Sequence, residues 1–275
     1  MNCLRDDNKM IKRWAVVTGA SSGIGMAFAT ELSRRGHPVL AVARRRDRLE
    51  ALAKVAANRE ARIEPLTADL ITDEGLRSVT RRIEELGEIE LLINNAGVAN
   101  AGNFLGTALE QEIAQIRLNV EAVTTLTHTA LRGMVRRQHG AVINVASVVG
   151  FQPFPQFAVY AATKAFVLSF TEALAEELRG TGVRLLALCP GAVRTEIDVF
   201  AHNEGLLGRL PSLTAEQVVK AGLRALERGR VVKVVGRLNQ FLPFIDRLMP
   251  RWTIRRVMGG ATKTPQAITA QESER

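Results

Sequence analysis

At 275 residues, with 47% hydrophobic and 24% charged residues, the chain has the balance of one globular domain and leaves little room for disorder outside its ends. The N-terminal residues lack an apolar core of signal-peptide length, and the longest charge-free run, 141–163, is broken by Gly150, Pro153 and Pro155, so neither export nor a membrane span is expected. Two distant cysteines, Cys3 and Cys189, and four histidines without ligand spacing argue against a disulfide framework or a protein-held metal and fit a reducing cytoplasm.

Seven short β-rich runs, 15–18, 38–43, 62–66, 91–94, 141–145, 183–188 and 231–235, alternate with helical stretches. That alternation predicts parallel strands with crossover helices: a single doubly wound, Rossmann-like α/β domain, its seven-stranded parallel sheet covered by helices on both faces. The domain is expected over 12–236, between an N-terminal arm at 1–11 and a basic, apolar C-terminal extension at 237–275 that looks frayed from Gly259.

The first strand breaks into Gly19-Ala-Ser-Ser-Gly23-Ile-Gly25 and resumes as a helical pattern. Glycines there permit a tight turn and close backbone approach to a pyrophosphate, which sits on the amides and positive end of the next helix. In isolation the same residues could form an ordinary strand-to-helix loop. After the second strand, Arg44 stands where NAD-preferring Rossmann proteins place an acid; a guanidinium can grip a 2′-phosphate, so NADP is the expected cofactor. Arg45, Arg46 and Arg48 fit a solvated helix start as well as an auxiliary role. Asp69 follows the third strand and by itself reads as a turn or cap residue. Asn94-Asn95-Ala96-Gly97 follows the fourth, small enough to admit a cofactor and equally a plain turn.

Segments 73–86 and 109–138 are amphipathic, and the second carries Asn119, a polar residue inside a helix that needs a reason to be there. Ser147 ends the fifth strand. Thirteen positions later Tyr160 precedes Lys164 by four residues, on one face of a long helix. A neighbouring cation favours the phenolate, so this phenol could trade a proton near neutral pH. The loop between holds Phe151, Phe154 and Phe157, which either line an apolar substrate pocket or pack beneath the loop. Gly19, Arg44, Asp69, Asn95, Ser147 and Pro190 all fall at the carboxyl ends of expected strands, where doubly wound sheets bind ligands.

With Thr18-Gly-Ala-Ser-Ser-Gly-Ile-Gly25, Asn94-Asn-Ala-Gly97, Ser147, Tyr160-x-x-x-Lys164 and Pro190-Gly191 in this order, the chain resembles the short-chain dehydrogenase/reductase family over roughly 12–236. The resemblance implies a nicotinamide cofactor, a homo-oligomer and a catalytic quartet. In that quartet Ser147 holds the substrate oxygen, Tyr160 moves the proton, Lys164 holds the nicotinamide ribose, and Asn119 holds a water that links Lys164 to solvent. It further implies cofactor contacts from Gly19, Ser21, Ser22, Gly23, Ile24, Gly25, Asp69, Leu70, Asn95, Ala96 and Gly97. Tyr160, Lys164, Pro190, Gly191, Val193 and Thr195 complete that set, with a substrate lid in 196–213.

A formal charge of +9 is concentrated near the C-terminus, where 228–256 carries eight basic residues against one acid. Phe241, Ile245, Leu248 and Trp252 recur there at helical spacing, beside Arg247, Arg251 and Arg255. A solvated basic face over the pocket rim is expected; contact with an anionic membrane surface is the alternative, and no nucleic-acid partner is expected. The function expected is NADPH-dependent reduction of a lipophilic ketone or 3-oxoacyl compound. The alternatives are the same enzyme as an NADP-dependent alcohol dehydrogenase, and a non-catalytic Rossmann sensor or basic-face binder.

Overall fold

In the computed structural model, which describes residues 13–56, 61–194, 212–236, 239 and 249–261, each apolar run becomes a strand: β1 (Trp14–Thr18), β2 (Val39–Ala43), β3 (Ile63–Thr67), β4 (Ile89–Asn94), β5 (Gly140–Val145), β6 (Val183–Pro190) and β7 (Val232–Val235). The order is β3-β2-β1-β4-β5-β6-β7, and every pair is parallel. Helices α1 (Gly23–Arg34), α2 (Arg46–Ala56), α3 (Asp73–Leu86), α4 (Leu109–Ile116), α5 (Ala122–Arg137), α6 (Ala158–Glu177) and α7 (Ala215–Glu227) supply the crossovers. A last helix, α8 (Arg251–Ala261), follows the sheet and includes Gly259 and Gly260.

The central strands β1, β2 and β5 are buried on both faces, which is why they read as nearly unbroken apolar runs. Side chains nonetheless alternate. Ala15 and Val17 of β1 join Phe28, Leu32, Leu49 and Leu223 on one face, whereas Trp14 and Val16 join Val79, Ile83, Leu126 and Met134 on the other. Pro65, which cannot donate to a ladder, is tolerated because β3 is an edge strand paired only with β2. Asn94 and Asn144 are paired in register across β4 and β5; the Asn94 amide donates to Thr127 Oγ1 and to Asn144 Oδ1, and the Asn144 amide donates to Thr171 Oγ1. Asn94 thus belongs to a polar cross-tie through the core.

The amphipathic segment expected at 109–138 is one continuous helical path, but Arg117–Glu121 between α4 and α5 winds as a π turn. Such turns carry one extra residue and concentrate at functional sites. The chain reverses its winding direction between β1 and β4, so the loops leaving these two strands diverge and open a crevice at their carboxyl ends.

Candidate active site

A cleft of about 350 Å³ occupies that crevice, reached by Gly19, Ser21, Ser22, Gly23 and Ile24 from the first loop and by Asn95, Ala96 and Gly97 from the loop after β4. Gly19 and Gly23 have φ of +67° and +54°, a region that glycine enters without penalty. A Cβ at Gly25 would stand 2.5 Å from Asn95 Nδ2, so the start of α1 can press against the loop after β4 only with glycine there. Thr18 ties the two loops together: its hydroxyl donates to the Ile93 carbonyl and accepts from the amides of Asn95 and Ala96.

Arg44 lies exposed on the cleft wall. Arg45, which the sequence left open between surface charge and auxiliary role, reaches into the same wall and donates to Ser21 Oγ at 2.9 Å and Ser22 Oγ at 2.7 Å. The Arg45 guanidinium and two hydroxyls therefore meet where β2 ends, with Arg44 on the same cleft wall, while Arg46 pairs with Glu50 on the surface. Asp69 is both things the sequence allowed: its carboxylate caps a turn by accepting from the Ile71 amide at 3.1 Å, and with Leu70 it lines the cleft. Pro190, Gly191 and Val193 close the far side. Thr195 and all but the last two residues of the lid expected at 196–213 lie outside the described residues.

Ser147, Tyr160 and Lys164 converge on the cleft. A short 3₁₀ turn after Ser147, Val148–Phe151, folds back onto α6, where a Cβ at Gly150 would stand 2.8 Å from the Lys164 carbonyl. The fold-back brings the Ser147 hydroxyl near enough to the Tyr160 phenol to act on its ionisation. Burial pushes the phenol up to about 12, with Ser147 pulling the other way. Burial likewise pushes the Lys164 ammonium down to about 8, and Lys164 Nζ donates to the Val145 carbonyl at 2.9 Å. The expected shift of the phenol toward neutral pH is therefore reversed here, because desolvation by burial outweighs the opposing effect of Ser147.

Asn119, wholly buried in the π turn, clasps Val98 from both sides: its Oδ1 accepts from the Val98 amide and its Nδ2 donates to the Val98 carbonyl. Nδ2 also donates to Thr163 Oγ1. A Cβ at Gly97 would lie 3.1 Å from Asn119 Oδ1 and 3.6 Å from Lys164 Nζ, so Gly97, Asn119 and Lys164 share one corner. One turn earlier, Gln115 is fully buried and accepts from the Asn100 amide at 2.7 Å. The sequence reading passed over it, although two amide side chains at i and i+4 inside an apolar pattern were visible.

The phenylalanine loop packs inward. Phe154 and Phe157 stack edge to face at 5.6 Å, and Phe157 continues the chain to Tyr160 at 6.4 Å. Of the C-terminal apolar face expected from sequence, Phe241, Ile245 and Leu248 lie outside the described residues, and Trp252 is 56% exposed. Ile254 and Met258 form the buried face of α8 instead. No helix among the described residues is long and apolar enough to cross a membrane, and no cluster of His, Cys, Asp or Glu among them has metal-holding geometry. Cys189 is buried in β6, its thiol pushed up to about 12 by burial, which suits a packing residue.

The glycine cradle, the paired guanidiniums and the Ser147–Tyr160–Lys164 corner together fit a nicotinamide dinucleotide. A family model described as short chain dehydrogenase matches residues 13–204. The chain is 32% identical over 245 residues to human 17-beta-hydroxysteroid dehydrogenase type 3, covering 87% of this chain and 76% of that protein. To the very-long-chain 3-oxoacyl-CoA reductase of Mus musculus it is 31% identical over 259 residues, covering 91% and 80%. Among solved structures, a short-chain dehydrogenase from Sphingobium yanoikuyae in complex with NADPH superposes with a TM-score of 0.75 at 32% identity, covering 94% of this chain and 99% of that one.

Proposed function

Because the chain belongs to the short-chain dehydrogenase family, an oxidoreductase family using a nicotinamide cofactor on hydroxyl and carbonyl groups, we propose that it reduces the carbonyl of a lipophilic ketone or 3-oxoacyl compound with NADPH. The observation that carries this reading is the convergence of Ser147, Tyr160 and Lys164 on one side of the cleft, with the Lys164 ammonium 5.7 Å from the phenol ring. Such a phenol can donate a proton to a carbonyl oxygen in reduction. When bound, the nicotinamide supplies the hydride. Ser147 then holds the substrate oxygen against Tyr160 Oη, which passes its proton to that oxygen as negative charge builds there. Lys164, half charged near pH 8, sits one helical turn away to favour the phenolate left behind.

NADPH preference rests on Arg44, exposed on the cleft wall after β2, and on Arg45, bonded to Ser21 and Ser22 on the same wall, since guanidiniums there suit a 2′-phosphate. A lipophilic substrate is suggested by the steroid and long-chain acyl compounds named for two relatives. A non-catalytic sensor would have no need for Ser147 beside Tyr160. One assay addresses both halves: NADPH absorbance followed with a panel of ketones and 3-oxoacyl thioesters. Tyr160→Phe should bind nucleotide yet turn over ~10²–10⁴-fold more slowly. Arg44→Asp should weaken NADPH by at least ~1.5–3 kcal/mol while NADH suffers far less. Near-full activity of Tyr160→Phe, or equal wild-type affinity for the two nucleotides, would overturn the corresponding half.

We also propose a homo-oligomer, assembled through α4 and α6. Leu109, Ile113 and Ile116 form an exposed apolar row on α4, and Phe166 stacks on Phe170 on α6 at 5.5 Å.

A further inference from the structure

The loop that leaves β4 carries Asn95, Ala96, Gly97 and Val98 into the cleft, and α4 holds its far end. Asn100 is bonded to that helix twice: its backbone amide donates to Gln115 Oε1 at 2.7 Å, and its side-chain amide donates to the Gln111 carbonyl at 3.0 Å. Gln115 is fully buried and has a second contact, donating from Nε2 to Glu112 Oε2 at 3.0 Å. Glu112 is itself only 7% exposed, and that bond is its carboxylate's one hydrogen bond or ion pair among the described residues. Burying a carboxylate on so few bonds is costly, so Glu112 is a poor choice for packing alone.

We propose that Glu112 is a positioning residue for nucleotide binding, acting through Gln115 on the loop after β4. Its task is to set a polarity. A carboxylate accepts and the Asn100 N–H donates, so the residue between them must give at one end and receive at the other. A glutamine amide does both, but alone it can turn over and present its NH2 group to the Asn100 N–H instead. Glu112 removes that alternative: Nε2 must face the carboxylate, and Oε1 must then face Asn100. Asn119 clasps Val98 without such help, because the Val98 amide and carbonyl fix both of its ends. Together the two clasps hold the stretch just after Gly97, where a Cβ would stand 3.6 Å from Lys164 Nζ. The inference rests on the cleft holding a nicotinamide nucleotide, not on which carbonyl is reduced.

Two measurements on the full-length protein test this: NADPH affinity by fluorescence titration, and amide hydrogen exchange of the 98–100 segment in the nucleotide-free protein. Gln115→Met keeps the bulk and removes both bonds; it should weaken NADPH by ~10-fold and speed exchange at 98–100. Gln115→Glu sets two carboxylates at the 3.0 Å spacing of the present bond and should do at least as much damage. Adding Glu112→Gln to that variant swaps amide and carboxylate, leaving a donor toward position 115 and an acceptor toward Asn100. Both readings should then return to within a few-fold of wild type. Glu112→Gln alone should cost only a few-fold, since an amide oxygen still accepts from Nε2. Glu110→Gln, an exposed charge change on the same helix, should leave both readings unchanged. A double variant no better than Gln115→Glu in binding, exchange or folding would overturn the inference, as would wild-type affinity and exchange in Gln115→Met. If the wild-type protein bound no NADPH, the cofactor reading would fall, and the exchange comparison alone would decide whether Glu112 positions the loop.

Discussion

Lys164 shows how one residue is placed against its own stability. Its pKa is pushed down to about 8 by burial, against about 10.4 for a free lysine. Below about pH 8 the folded and unfolded chains both hold the proton, and the fold bears the full cost of burying it. Between about pH 8 and ~10.4 the unfolded chain keeps a proton that the folded chain has released, so this residue's contribution to stability rises with pH. Without added nucleotide, Lys164→Met should therefore melt at or above the wild-type temperature at pH 7 while losing activity. The gap should close by pH 9.5; a gap constant across that range would mean that the bond to Val145, not the buried charge, dominates. Such a residue was legible in sequence because its partner Tyr160 is four positions away. Arg45, Thr18 and Gln115 were not, since their contacts lie 24, 77 and 15 residues off and only the folded chain brings them together.

Among the elements, the 3₁₀ turn at Val148–Phe151 has least freedom. It must cross α6 at the Lys164 carbonyl, and Gly150 is the residue that lets it. Gly150→Ala should push the turn away from α6 and lift Ser147 off the phenol. Since displacements near 1 Å can cost about 10²-fold in rate, turnover should fall by that order while nucleotide affinity stays within a few-fold. Parallel losses in both would place the damage in the fold at large. Strands were the most readable elements, because burial on both faces leaves only apolar residues. Helix α8 was the least: the sequence periodicity grouped Trp252 with Phe241, Ile245 and Leu248 on one apolar face, and packing against Phe154 and Tyr160 chose Ile254 and Met258.

For the whole molecule, sheet order fixes the site, since β1 and β4 lie side by side despite the residues between them. The alternating pattern predicted a doubly wound parallel sheet without its strand order, and the carboxyl-end placement of Gly19, Asn95 and Ser147 followed from it. Assembly is a separate question, posed by the apolar row on α4. Ile113→Glu puts a charge in its middle; if this row meets a second copy, sedimentation should show a shift to monomer at unchanged fold. An oligomer unaffected by Ile113→Glu would move the interface elsewhere.

The π turn at Arg117–Glu121 carries a further implication. The path from α4 to α5 follows β4 and its continuation in order: Arg137 bonds the Ile89 carbonyl, Thr127 meets Asn94, Asn119 clasps Val98 and Gln115 holds Asn100. Gln115 and Met134, both fully buried, are nineteen residues apart, whereas five regular turns need about eighteen. The π turn absorbs the surplus residue, so both halves of the helix face the same way. Deleting one residue from 117–121 would leave about eighteen for the same five turns: the helix would become regular with both halves still in register, and what would be lost is the wide turn that presents Asn119 to Val98. Inserting a further residue there would instead rotate one half against the other by roughly 100°. The short turn is thus the place where the fold accommodates one residue more than a regular helix holds, beside its active site.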